Sequence, residues 1–166
     1  CLRLADNGYH QYEISNFAKE GKACRHNLSY WERKNYLGFG TGAASLLCEQ
    51  RYTNTDSLAL YIDTMAELEE KKEVISKALA AVRAEQHTLS VPEQMEEMFF
   101  LGLRKNSGIS EADFLGKFGK TVDDIYAQAL EKNQKFGLLV RENGRIFLTK
   151  RGREVSNVVM SEFLLD

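Results

Sequence analysis

The segment His26-Asn27-Leu28-Ser29-Tyr30-Trp31 sets an imidazole, a carboxamide, a phenol and an indole within six residues. Imidazole is a standard axial ligand of iron, and flat aromatic rings suit the faces of a planar macrocycle. The competing reading is structural, with His26 and Asn27 hydrogen-bonding a loop while Trp31 fills a core. A second candidate is the glycine run Gly38-Phe39-Gly40-Thr41-Gly42. Its spacing is not G-x-G-x-x-G and no amphipathic helix follows at once, so a dinucleotide fingerprint fails. A tight strand-end turn explains the small residues, whereas a binding reading uses them to bring backbone close to a ligand.

These residues lie in a glycine- and aromatic-rich stretch, residues 1–55, that reads as strands and loops. Tyr12-Glu13-Ile14 alternates like a short strand. Residues 15–35 suit a loop with one helical turn, Tyr36–Gly40 reads as a strand, and Ala43–Asn54 as a strand or a hairpin turning at Glu49-Gln50. From Asp56 to about Gln86 the apolar spacing becomes helical, through Leu58, Tyr61, Ile62 and Met65 and then Ile75, Ala78, Leu79 and Val82. The charged run Glu67–Glu73 between them, with Glu67–Lys71 and Glu73–Lys77 at i,i+4, reads as a solvated face or a break, giving a helical connector over 56–87.

Residues 88–166 carry the firmest local signals. Ser90-Val-Pro-Glu93 is a capping box opening a helix with Met95, Met98, Phe99 and Leu103 on one face, ending near Asn106. Ser110 opens a short helix burying Phe114, Leu115 and Phe118 and closed by Gly119. Thr121 opens a third with Ile125, Tyr126, Ala129 and Leu130 inward, and Gly137 follows its end. Two apolar runs joined by Asn143-Gly144 predict a hairpin, and Thr149 caps a last helix with Val155, Val158, Val159 and Phe163 on one side. The expected fold is α/β (α+β), with a winged-helix-like module over 88–166.

Bulk composition removes several classes. The chain has 166 residues, 22 basic against 24 acidic, 43% hydrophobic, with one proline. Its net charge of −2 exerts no pull on nucleic acid or anionic membrane. A winged-helix DNA regulator is disfavoured further, because residues 88–166 hold eleven Lys/Arg against twelve Asp/Glu and the third helix opens on Asp123-Asp124. No apolar run approaches the roughly 20 residues that span a bilayer. Cys1, Cys24 and Cys48 are too scattered for a C-x-x-C type metal motif or a disulfide framework, which suits reduced thiols and a cytoplasmic location. The opening Cys1-Leu-Arg-Leu-Ala-Asp6 is neither an initiator methionine nor a signal peptide, so a larger parent protein is expected.

Three stretches carry a family resemblance: Gly8-Tyr-His-Gln-Tyr-Glu-Ile-Ser-Asn-Phe-Ala18, Arg25-His-Asn-Leu-Ser-Tyr-Trp31, and Tyr36-Leu-Gly-Phe-Gly-Thr-Gly-Ala43. With Arg51–Asn54 and Glu97–Arg104 they resemble the radical-SAM heme chaperones, which are coproporphyrinogen III oxidase-like proteins. The resemblance covers nearly the whole chain, and H-N-x-x-Y-W is its most specific element. It implies that residues 1–55 are the last strands of a radical-SAM partial barrel and the rest a C-terminal domain. In that family S-adenosylmethionine and a 4Fe-4S cluster on C-x-x-x-C-x-x-C belong to the N-terminal part, and this sequence has no such triplet. Implied for this chain are heme binding by His26, Asn27, Tyr30 and Trp31, and a barrel-mouth site for S-adenosylmethionine or tetrapyrrole at Gly40, Thr41, Gly42 and Ala43. The family commonly has G-A-H-S where this chain has Gly42-Ala43-Ala44-Ser45, so that histidine's role is lost or moved. Two functions follow: a chaperone that holds heme and passes it to respiratory enzymes, some membrane-associated, or an oxidase that decarboxylates coproporphyrinogen III. H-N-x-x-Y-W favours the first. The separated piece is expected to be inactive, to hold no cluster and to self-associate through unpaired barrel strands.

Overall fold

The computed structural model of the chain describes residues 2–71 and 80–165, arranged as two compact units. One unit joins Cys1–Arg33 to Val91–Asp166, and the other is Lys34–Ser90. The first 33 residues therefore fold with the C-terminal stretch.

In the first unit, α1 (Leu2–Ala5) leads to a two-stranded ribbon of β1 (His10–Gln11) and β2 (Phe17–Ala18), then to α2 (Arg25–Trp31). Tyr12-Glu13-Ile14 is not a strand, and only Glu13 forms a bridge, with Lys105. Local side-chain bonds turn the chain there: Gln11 Nε2 donates to the Ile14 carbonyl at 2.7 Å, and the Ser15 N–H donates to Glu13 Oε1 at 2.9 Å. The expected single helical turn in 15–35 is a seven-residue helix, α2.

The C-terminal stretch keeps the expected order of elements. Helix α4 spans Val91–Gly102, four residues short of Asn106, because the chain beyond it pairs with the N-terminal segment. The Ile14 N–H donates to the Arg104 carbonyl, and the Asn106 N–H to that of Tyr12. A short strand β6 (Ile109–Ser110) precedes α5 (Glu111–Phe118) and α6 (Val122–Lys135). Ser110 and Thr121 each accept a backbone N–H three residues on, and Thr121 forms a reciprocal box with Asp124. Strands β7 (Leu139–Glu142) and β8 (Arg145–Leu148) pair antiparallel across Asn143-Gly144. Both turn residues have positive φ, 52° and 69°, which Asn and Gly tolerate. The sheet order is β6-β8-β7.

Phe99, Phe114, Tyr126, Leu130, Ile146, Val159, Met160 and Phe163 form the core of this unit. Two inward assignments are corrected. Leu115 is 47% exposed, since α5 is only eight residues long and turns Phe114 and Phe118 inward instead. The terminal helix is split into α7 (Lys150–Glu154) and α8 (Ser156–Ser161) at Val155, whose φ of −120° is non-helical. The break shifts the phase, so Val159, Met160 and Phe163 are buried while Val155 and Val158 face out.

In the second unit β3 (Ala44–Leu47) and β4 (Gln50–Asn54) form a hairpin that turns at Cys48-Glu49, both at positive φ, one residue before the expected Glu49-Gln50. Helix α3 spans Leu58–Lys71, while Ile75, Ala78, Leu79 and the Glu73–Lys77 pair lie outside the described residues. The helical reading does not extend to Gln86: β5 (Arg83–Thr88) is a strand paired antiparallel with β4. Its mostly exposed residues give no period-two apolar signal, and cross-strand pairing overrides their helical propensity. Tyr36–Gly40 is likewise no strand beyond a bridge from Tyr36 to Leu46.

On the surface of the first unit, Arg141 donates to both carboxylate oxygens of Asp123, at 2.8 and 2.6 Å, and also pairs with Glu111. The hydrogen bond from Arg141 holds the Asp123 carboxyl below the usual carboxylate range. A depressed pKa means stability that is complete above the unfolded value, about 4, and is lost as pH falls through the folded one. Asp123 is 51% exposed, so screening limits the effect to a few tenths of a kcal/mol. Asp123→Asn is expected to flatten the acid limb of a plot of melting temperature against pH below about 4, leaving neutral stability slightly reduced. An unchanged acid limb contradicts this.

Candidate functional site

Helix α2 carries the first candidate set. The imidazole of His26 is exposed, and its centroid lies 4.8 Å from that of Tyr30, edge to face at 84°. That pairing follows from i,i+4 spacing, which stacks side chains one turn apart. Asn27 and Trp31 are partly buried. Five residues beyond His26, Trp31 is turned about 140° round the helix axis. The Arg104 guanidinium lies over its ring at 4.4 Å, and the indole Nε1 is buried without a hydrogen-bond partner. Beside it Arg33 Nε donates to Glu97 Oε2 at 2.8 Å, anchoring the end of α2 to α4. Thus His26 and Tyr30 share an accessible face, and Trp31 packs against the C-terminal stretch. An exposed imidazole can bind a metal ion through a ring nitrogen.

The second set lies in the other unit. Gly40 and Gly42 have φ of 95° and 66°, a conformation that demands glycine, and a Cβ at Gly38 would strike the Ala44 carbonyl. The loop is clamped by side chains. Ser45 Oγ accepts the Gly38 N–H at 2.9 Å, Tyr61 Oη accepts the Gly40 N–H at 3.0 Å, and Asn54 Nδ2 donates to the carbonyls of Gly38 and Gly40. These bonds replace the ladder a strand would need, which is why Tyr36–Gly40 does not extend as one. Thr41 and Gly42 are exposed, while Gly40 and Ala43 are partly buried. Phe39, 73% exposed, stands out from the same loop.

Each set is brought together internally, one in each unit. Sequence reasoning gave no supporting role to the residues that hold them: Arg104 and Glu97 for α2, and Asn54, Ser45 and Tyr61 for the loop. All are distant in sequence or ordinary in type, so spacing carried no sign of them. Neither set fits an iron–sulfur cluster. Cys24 and Cys48 are exposed single thiols, and no group of three His, Cys, Asp or Glu is placed to hold a metal among the described residues. No helix among those residues is long and apolar enough to cross a membrane.

Residues 89–155 match the HemN C-terminal domain family. Over 162 residues the chain is 35% identical to the heme chaperone HemW of Bacillus subtilis, covering 98% of this chain and 40% of that protein. The Lactococcus lactis heme chaperone HemW is 38% identical over 165 residues, with the same coverage of 98% and 40%. A zebrafish (Danio rerio) protein, mitochondrial radical S-adenosyl methionine domain-containing protein 1, is 32% identical over 138 residues, 74% of this chain and 29% of its own length. Among solved structures, the Escherichia coli coproporphyrinogen III oxidase HemN, a radical SAM enzyme, superposes with a TM-score of 0.69. That match covers 98% of this chain and 38% of HemN at 16% identity, which establishes the shared fold. The chain thus spans about two fifths of the length of the HemW proteins it matches.

Proposed function

We propose that the chain, similar to the C-terminal portion of HemW and HemN proteins, is the heme-holding part of a radical-SAM heme chaperone. One observation carries the reading: 35% and 38% identity to two heme chaperones across 98% of the chain. The exposed His26 with Tyr30 beside it supports the reading. His26 supplies an axial nitrogen to heme iron, Tyr30 borders the macrocycle, and Asn27 and Trp31 shape the surrounding surface. The glycine loop, its backbone fixed by Asn54 and Tyr61, serves separately as a contact for S-adenosylmethionine or tetrapyrrole. Passing heme on to respiratory enzymes is the proposed purpose.

The test is titration of heme into the protein followed by the Soret band, together with a decarboxylase assay on the full-length protein. Saturable heme binding without coproporphyrinogen III turnover fits the chaperone. Turnover without heme binding would move the assignment to the oxidase.

Two expectations concern the chain by itself. Anaerobic iron–sulfide treatment is expected to leave it without a stoichiometric cluster, because its cysteines are scattered. A stoichiometric charge-transfer absorption would refute that. The chain is also expected to self-associate through the barrel-strand segments in residues 1–55, whose exposed strand edges would pair among copies. Light scattering that shows a clean monomer at high concentration contradicts this.

A further inference from the structure

Within the first unit, a cleft of about 250 Å³ opens where the end of α2 meets β6 and α5. Trp31, Met98 and Ile109 give it an apolar side, and Lys105, Lys117 and Arg145 line it with positive charge. Arg145 is the informative residue. Its Nε donates to the Ser107 carbonyl at 2.6 Å and its Nη2 to the Gly108 carbonyl at 3.3 Å. Two neutral carbonyls fix the guanidinium's orientation, and among the described residues no carboxylate is bonded to it, Glu142 standing opposite it across the hairpin. Glu32 lies 3.9 Å from the Lys105 ammonium, Glu97 holds Arg33, and Asp113 is the one further carboxylate in the lining. A rigid fork beside an apolar wall suits the carboxylate of an amphipathic ligand, since guanidinium binds carboxylate in two parallel bonds.

We infer that this cleft is a carboxylate subsite that takes a propionate side chain of the tetrapyrrole, with Arg145 as the fork and Lys117 as a second cation. The inference rests on the heme-holding reading and adds to it a recognition point separate from iron. It also predicts a preference that His26 cannot produce, because ligation at iron is indifferent to whether the propionates are charged.

The test uses metal-free protoporphyrin IX and its dimethyl ester, titrated by fluorescence in the same detergent, alongside heme itself. The free acid is expected to bind about tenfold or more tighter than the ester, the worth of one charge-assisted bond. Arg145→Gln should bring that ratio close to one while leaving the affinity for the ester unchanged. Lys117→Gln leaves the Ser107 and Gly108 bonds intact and should lower the ratio in the same direction, so the test survives if Arg145→Gln fails to fold. Equal binding of acid and ester by the unaltered protein, or a full ratio in both variants, overturns the subsite while leaving heme binding standing. Failure to bind heme or porphyrin at all overturns both the subsite and the heme-holding reading.

Discussion

Phe99→Ala is expected to cost the first unit about 3–5 kcal/mol, the usual penalty for emptying an aromatic core position. Phe99 is fully buried on α4, and α5, α6 and the turn after α8 converge on its ring. It stacks on Phe163 at 4.6 Å and 15°, lies 4.5 Å from Tyr126, and meets Phe114 edge-on at 5.8 Å. Truncation would remove three aromatic contacts at once and leave a cavity that the capped ends of α5 and α6 resist closing. In a unit of this size the loss corresponds to a fall of roughly 10–20 °C or more in melting temperature. Phe100→Ala is the control, because that ring is 41% exposed and its removal should cost little. Similar shifts for both variants would contradict the account.

His26→Ala is expected to weaken heme binding by about tenfold or more, at least about 1.4 kcal/mol, and to shift the Soret band. The imidazole is exposed, so the melting temperature should hardly change. His10→Ala, also at an exposed histidine, should keep both affinity and spectrum. A structural role for His26 predicts the reverse: a lower melting temperature and an unaltered spectrum in the folded fraction. Wild-type affinity and spectrum in His26→Ala would remove the ligand assignment.

Where the chain's local chemistry decides the backbone, the sequence was readable. Ser110, Thr121 and Thr149 cap helices because a hydroxyl meets an N–H within three residues, and Asn143-Gly144 turns because both accept positive φ. What was not readable depends on distant partners. Arg83–Thr88 contains Arg, Ala, Glu and Gln, all good helix formers, and becomes a strand only because β4 is there to pair with it. The Tyr36–Gly40 stretch looked like a strand because nothing local announces that Ser45 and Asn54 take over its backbone groups. The candidate site divides in the same way. The adjacency of His26 and Tyr30 is a helix-spacing fact, and the cation over Trp31 comes from a residue far along the chain.

The first unit is discontinuous in sequence, and this has a consequence for how the chain is made. Its N-terminal 33 residues are held by later ones, as where the Asn106 side chain donates to the Gln11 carbonyl 95 positions away. At ribosomal speeds of about 5–20 residues per second, those N-terminal residues wait roughly 5–20 s for their partners to emerge. The β3–β4 hairpin needs only neighbouring residues and can close during that pause. The helix bearing His26 is thus made well before the stretch that seats it, leaving a nascent chain with the aromatic faces of Tyr30 and Trp31 uncovered. Such a chain depends on prompt completion, or on shelter by a folding helper, to escape capture by other apolar surfaces in the cell.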